Sequence, residues 1–171
     1  MTLSFSQTIN GEPTYFPEKI WSGLRHLEVS SELATYLRSR YSSEKSILDF
    51  EPKLHTIRRD EKDRWQVGSK IHMVINNRTK DRLQFAPVLE VKSIQKIRIR
   101  HPKLGEKNES QVYIDDALQG SVIWVNCKLK ASSFTVDAIA KNDGFDNTDS
   151  FFDWFCEDFE GKIIHWTDLK Y

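Results

Sequence analysis

The chain has 171 residues, enough for one domain with a substantial hydrophobic core. Apolar residues make up 39% and aromatic residues 12%, which excludes a largely disordered polypeptide. Lys plus Arg and Asp plus Glu both number 25, so no global field draws the molecule onto nucleic acid, and any such contact must come from a local patch.

Leu3 to Ile9 predicts a short strand that ends at the turn residues Asn10-Gly11. Pro17 suits the first turn of a helix whose apolar face is Ile20, Trp21 and Leu24. Ser30-Ser31 offers a second N-cap, followed by Leu33, Tyr36, Leu37 and Tyr41 at helical spacing. From Lys53 the pattern turns to strands: Lys53 to Arg58, Ile71 to Ile75 before the Asn76-Asn77 turn, a long bent strand from Phe85 to Arg100, Val112 to Ile114, and Val122 to Leu129. Helices return with Thr135 as a cap and Gly144 as a stop, then with Thr148 as a cap ahead of Phe151, Phe152 and Phe155. Ile163 to Trp166 closes the set as a strand, and strands with helices inserted between them predict an α+β fold.

Cys127 and Cys156 are too distant for a CxxC site and too few for a secreted disulfide scaffold. His26, His55, His72, His101 and His165 have neither HxxxH nor HExxH spacing, so no metal or other cofactor is expected. Met1 to Ser6 lacks the pattern of a signal peptide, and no apolar run approaches the ~20 residues that span a bilayer. A cytoplasmic protein without membrane contact is the expectation.

The densest motif is Lys53-x-x-Thr56-x-Arg58 followed by Trp65-x-x-Gly68-Ser69. With Ile20-Trp21-Ser22-Gly23 before it and Asp143-Gly144-Phe145 after it, this order resembles the ASCH family of the PUA-like superfamily. The resemblance covers most of residues 20–166. It implies one domain over 1–171, built as a small mixed β-barrel with peripheral helices. In compact members the lysine follows the glycine almost at once, whereas here Leu24 to Pro52 intervenes, read as a helical insertion and a possible protein contact. A second departure is Ser69, where the family usually has Asp.

Compact ASCH proteins that this chain resembles hydrolyse the acyl group of N4-acetylcytidine with a Lys, a Thr and a Glu. The resemblance carries those roles to Lys53, Thr56 and Asp143, the last one methylene shorter than the family's glutamate. A lysine whose ammonium is destabilised by burial can take a proton from a neighbouring hydroxyl, and a carboxylate can orient it. Lys53 and Thr56 have opposite parity in a regular strand, so they share a pocket only if the backbone bends near Pro52. His55, Arg58 and Trp65 are the candidate ligand-binding neighbours. The plain alternative is a solvated Lys53 and a Thr56 that merely faces another strand.

Lys92, Lys96, Arg98 and Arg100 fall on one face of an extended segment, opposite Ile97 and Ile99, and form a basic stripe suited to phosphates. Eight acidic residues between Asp137 and Glu160 oppose it, so the stripe reads equally as a solvated or internally docked face. Trp65, Phe85, Trp124 and Trp166 suit either base stacking or the core. Two functions fit: a module that recognises RNA or a modified nucleoside near the lysine motif, and a metal-independent amidohydrolase acting on acylated cytidine.

Overall fold

The computed structural model describes residues 1–26, 35, 49–126 and 128–171. The chain is mixed α+β, with three α-helices among the described residues and a six-stranded antiparallel sheet curled into a half-barrel. In order, β1 (Thr2–Ser4) leads to the hairpin β2 (Thr8–Ile9) and β3 (Glu12–Pro13), then to α1 (Phe16–Gly23) and a 3-10 turn at Leu24–His26. After β4 (His55–Arg58) come β5 (Lys70–Ile75), β6 (Leu83–Gln84), β7 (Leu89–Glu90) and β8 (Ser93–Arg100). The hairpins β9 (Glu109–Ile114), β10 (Ala117–Val125) and β11 (Lys128–Ser132) precede α2 (Phe134–Asn142), α3 (Thr148–Trp154) and β12 (Phe159–His165). The helix expected over Leu33, Tyr36, Leu37 and Tyr41 lies outside the described residues.

The large sheet runs β11-β10-β9-β8-β12-β4. In the smaller sheet β5 pairs with β1 in parallel and with β6 and β7 antiparallel. Register shifts in β10, between Ile123 and Trp124 and again between Leu118 and Gly120, bend the end of the large sheet. One core joins Phe5, Phe16, Trp21, Trp65, Met73 and Trp166. A second packs Ile97, Ile99, Val112 and Ile163 of the sheet against Ile139 and Phe151 of the helices.

The Asn10-Gly11 turn is present, both residues at positive φ, as a tight hairpin demands. Pro17 lies in the first turn of α1, where its missing N–H costs nothing. The long strand expected over Phe85 to Arg100 is broken. Pro87 has no amide to donate, and the chain changes sheets after Glu90: Val91 still bonds to Ser69, while Lys92 already donates to His165. Val122 to Leu129 is likewise two strands, because Asn126 at φ 51° turns the chain back. The helix caps each sit a residue or two earlier than Thr135 and Thr148. Ser133 accepts from the Val136 amide, and Asn147 accepts from that of Ser150. No helix among the described residues is long and apolar enough to cross a membrane.

Candidate functional site

Backbone bonds carry Lys53 between two helices. Its amide donates to the Lys19 carbonyl of α1 at 2.9 Å, and the next amide, Leu54, donates to the Asn142 carbonyl at the end of α2 at 2.8 Å. Asp143 is the C-cap of α2, and Gly144 at φ 89° turns the chain away from the helix. This geometry brings together two groups 90 residues apart: Lys53 Nζ donates to Asp143 Oδ1 at 2.8 Å and also to the Asp143 carbonyl. The same Oδ1 accepts from the Ile57 amide at 3.1 Å and stands 3.6 Å from His55 Nδ1. One carboxylate oxygen therefore gathers a lysine, a histidine and the backbone of β4.

The cluster is dry, with Lys53 1% and Asp143 4% exposed. Burial pushes the Lys53 ammonium down to about 8, against the pull of Asp143. Burial alone would push Asp143 up. The Lys53 charge and the His55 ring outweigh it and hold the carboxyl below its usual range. His55 is pushed down by burial, although Asp143 opposes the shift. Its Nε2 lies 2.8 Å from the Tyr171 hydroxyl, which also accepts from Asn142 Nδ2 at 2.8 Å. With that hydroxyl donating to Nε2, the ring proton of neutral His55 stands on Nδ1, facing Asp143. His165 packs against His55 with ring centroids 5.2 Å apart, and neither of its own ring nitrogens has a partner among the described residues.

Thr56 is buried in β4 and stands in register with Ile164, a residue of the core that holds Phe5 and Phe16. Lys53 lies before the regular strand begins, so strand parity does not govern it, and no hydrogen bond joins it to Thr56 among the described residues. Arg58 donates to the Ser4 carbonyl at 2.8 Å and lies 5.3 Å from the Phe5 ring centroid; Lys53 Nζ lies 5.9 Å from that same ring. Trp65 is a core residue. Phe85 and Trp166 belong to the same core, and Trp124 packs edge-on against Phe152. None of the four principal cavities among the described residues is lined by Lys53, Thr56 or Asp143.

One cavity comes close. It has a volume of about 290 Å³ and is walled by Phe16, Phe145 and Trp154, with Glu12, Asp146 and Asp153 among its polar groups. Phe16 and Gly144 line it on one side and pack on Lys53 on the other. Lys53 Nζ lies 4.8 Å from the Phe16 ring centroid, and a Cβ on Gly144 would stand 3.0 Å from Lys53 Cδ. Lys19, tied to the Gly144 carbonyl at 2.8 Å and to Asp146 at 2.6 Å, closes the rim. Sequence reasoning passed over Phe16, Trp154, His165 and Tyr171. For Trp154 a signal exists: it falls off the buried stripe of α3 and is 51% exposed.

Of the four residues read as a basic stripe, Lys92 precedes β8 and the other three lie on it. Lys96 and Arg98 project from β8 while Ile97 and Ile99 are buried. The charges are unequally free. Arg100 is held by both oxygens of Glu106 at 2.7 and 2.9 Å, whereas Lys92 and Lys96 form no ion pair among the described residues. Comparison of the chain with family models, curated proteins and solved structures finds no match.

Proposed function

We propose that the chain is a PUA-like module of the ASCH kind that recognises RNA or a modified nucleoside, with the base held in the cavity beside the Lys53 cluster. The observation that carries this reading is the aromatic wall of Phe16, Phe145 and Trp154 sharing Phe16 and Gly144 with Lys53. Three aromatic faces suit a stacked heterocycle, and the volume of about 290 Å³ lies at the lower end of ligand pockets, roughly 300 Å³ and above. Glu12, Asp146 and Asp153 offer acceptors for the amino protons of a base. Titration with cytidine and N4-acetylcytidine should quench tryptophan emission saturably, and Trp154→Leu should weaken binding about tenfold, in line with the ~1–3 kcal/mol of a base stack. Absence of saturable binding by calorimetry would remove the reading.

The Lys53–Asp143 contact favours a second reading, an amidohydrolase. In it Lys53, as the neutral amine, takes the Thr56 proton while the hydroxyl oxygen attacks the acyl carbon. The N4 amine then leaves with a proton from the lysine, and water releases the acetate from Thr56. Because Lys53 is pushed down to about 8, turnover should rise as pH increases through that value and the amine loses its proton. Acetate release from N4-acetylcytidine, abolished in Thr56→Val, is the test. No acetate after prolonged incubation at high enzyme concentration would leave only the binding function.

A further inference from the structure

The face of the large sheet opposite its helices carries a groove of about 510 Å³, bounded by Lys96 and Arg98 of β8, Tyr113 of β9, Glu160 and Lys162 of β12, and Asp116. Three features distinguish it from an ordinary solvated sheet surface. The Tyr113 hydroxyl donates to Gln111 Oε1 at 2.8 Å, which fixes the ring, and the Arg98 guanidinium carbon lies 4.4 Å from the ring centroid. Lys162 is already committed, to Asp60 at 3.0 Å and to Asp63. Lys96 and Arg98 are paired with no carboxylate among the described residues, while Glu61, Glu160 and Asp116 border the same space.

A groove with two uncommitted cations, one fixed aromatic ring and bordering carboxylates is complementary to a ligand that is planar, singly anionic and rich in N–H donors. A nucleotide unit of single-stranded RNA has those properties together: a flat base, one phosphodiester and an exocyclic amine on cytosine, adenine or guanine. We propose that this groove seats one nucleotide of a single strand. The base stacks on the Arg98–Tyr113 pair, Lys96 meets the adjoining phosphate, and Glu160 or Asp116 accepts from the base amine. The acidic border sets the chemistry apart from bulk phosphate tracking: few phosphates are held, and bases bearing an amine are preferred to uracil. The proposal rests on the nucleic-acid reading above for the identity of its ligand, but on a different face and on different residues from the cavity beside Lys53.

Fluorescence anisotropy of the full chain with labelled oligocytidylate and oligouridylate tests it. The wild type should prefer oligocytidylate, with affinity falling against salt on a log–log slope of about −0.7, corresponding to the one phosphate that Lys96 meets. Tyr113→Leu should weaken binding tenfold or more and Tyr113→Phe should retain it, while Lys96→Ser should reduce the slope by about 0.7. Cytidine binding measured by calorimetry should be unchanged in all three variants, since that cavity lies elsewhere. Unaltered oligonucleotide affinity in a folded Tyr113→Leu variant, or no binding by the wild type, overturns the groove as a site. Loss of cytidine binding alone in the wild type would instead overturn only the cavity reading.

Discussion

His165 shows what a single unpartnered side chain does to this fold. Its ring is fully buried, both nitrogens lack hydrogen-bond partners among the described residues, and the residue is held down to about 3 from an ordinary 6.5. Burial is the first cause; His55 and Lys170 push the same way, and Asp115 pulls weakly against them. The unfolded chain takes up a proton near pH 6.5, whereas the folded chain refuses it until about pH 3. Stability from this residue is therefore complete above pH 6.5 and declines as pH falls between those limits, by at most ~1.4 kcal/mol per pH unit. His165→Phe keeps a ring against His55 and Tyr171 and has nothing to protonate. Urea unfolding at a series of pH values should show the variant losing less stability than the wild type between pH 6 and 4. Parallel curves would show that His165 does not set the acid limit. Nothing in the sequence marks this residue, because a histidine followed by Trp166 in a closing strand reads only as a β pattern.

At the scale of elements, the Lys53–Asp143 pair ties the C-terminal end of α2 to the chain that enters β4. Lys53→Met would leave a buried carboxylate facing only His55 and the Ile57 amide, at a cost of roughly 3–5 kcal/mol. Adding Asp143→Leu removes the stranded charge, and most of that loss should return, less ~1 kcal/mol for the Ile57 amide left without its acceptor. A double-mutant cycle by chemical denaturation checks this; additive losses would show that the two side chains are not coupled. The pairing was legible in the sequence only through motif order, since no local pattern links residues 90 positions apart. Local pattern did better with turns and helix faces: Asn10-Gly11, Pro17 and the phenylalanines of α3 all act as their chemistry dictates. It failed where tertiary hydrogen bonding decides. Apolar residues continue through Val91, yet β7 and β8 belong to different sheets, and only the pairing of Val91 with Ser69 and of Lys92 with His165 reveals the break.

At the scale of the whole molecule, Gly23 and Lys53, 30 positions apart, meet beside α1. The chain leaves α1 and returns beside it. Ser22 Oγ donates to the Phe50 carbonyl at 2.7 Å, the Tyr15 and Phe50 rings lie 5.0 Å apart, and the Lys53 amide closes onto Lys19. Gly23 itself backs onto the returning strand so tightly that a Cβ there would stand 3.0 Å from the Lys53 carbonyl oxygen. Among the described residues, both ends are held by these contacts, and the cavity beside Lys53 takes walls from Ile9 to Lys19 and from Gly144 to Trp154. Replacing residues 27–48 by a short Gly-Ser linker that leaves Ser22, Gly23 and Phe50 in place should preserve the sheet, the Lys53–Asp143 pair and nucleoside binding. Closing a shorter connection between Gly23 and Phe50 costs less entropy, so the unfolding free energy should stay level or rise by on the order of 1 kcal/mol. Calorimetric titration with cytidine, together with thermal unfolding of the shortened chain, measures both quantities. A shortened protein that folds but no longer binds would make residues 27–48 part of the recognition site. One that fails to fold would make residues 27–48 necessary to the fold.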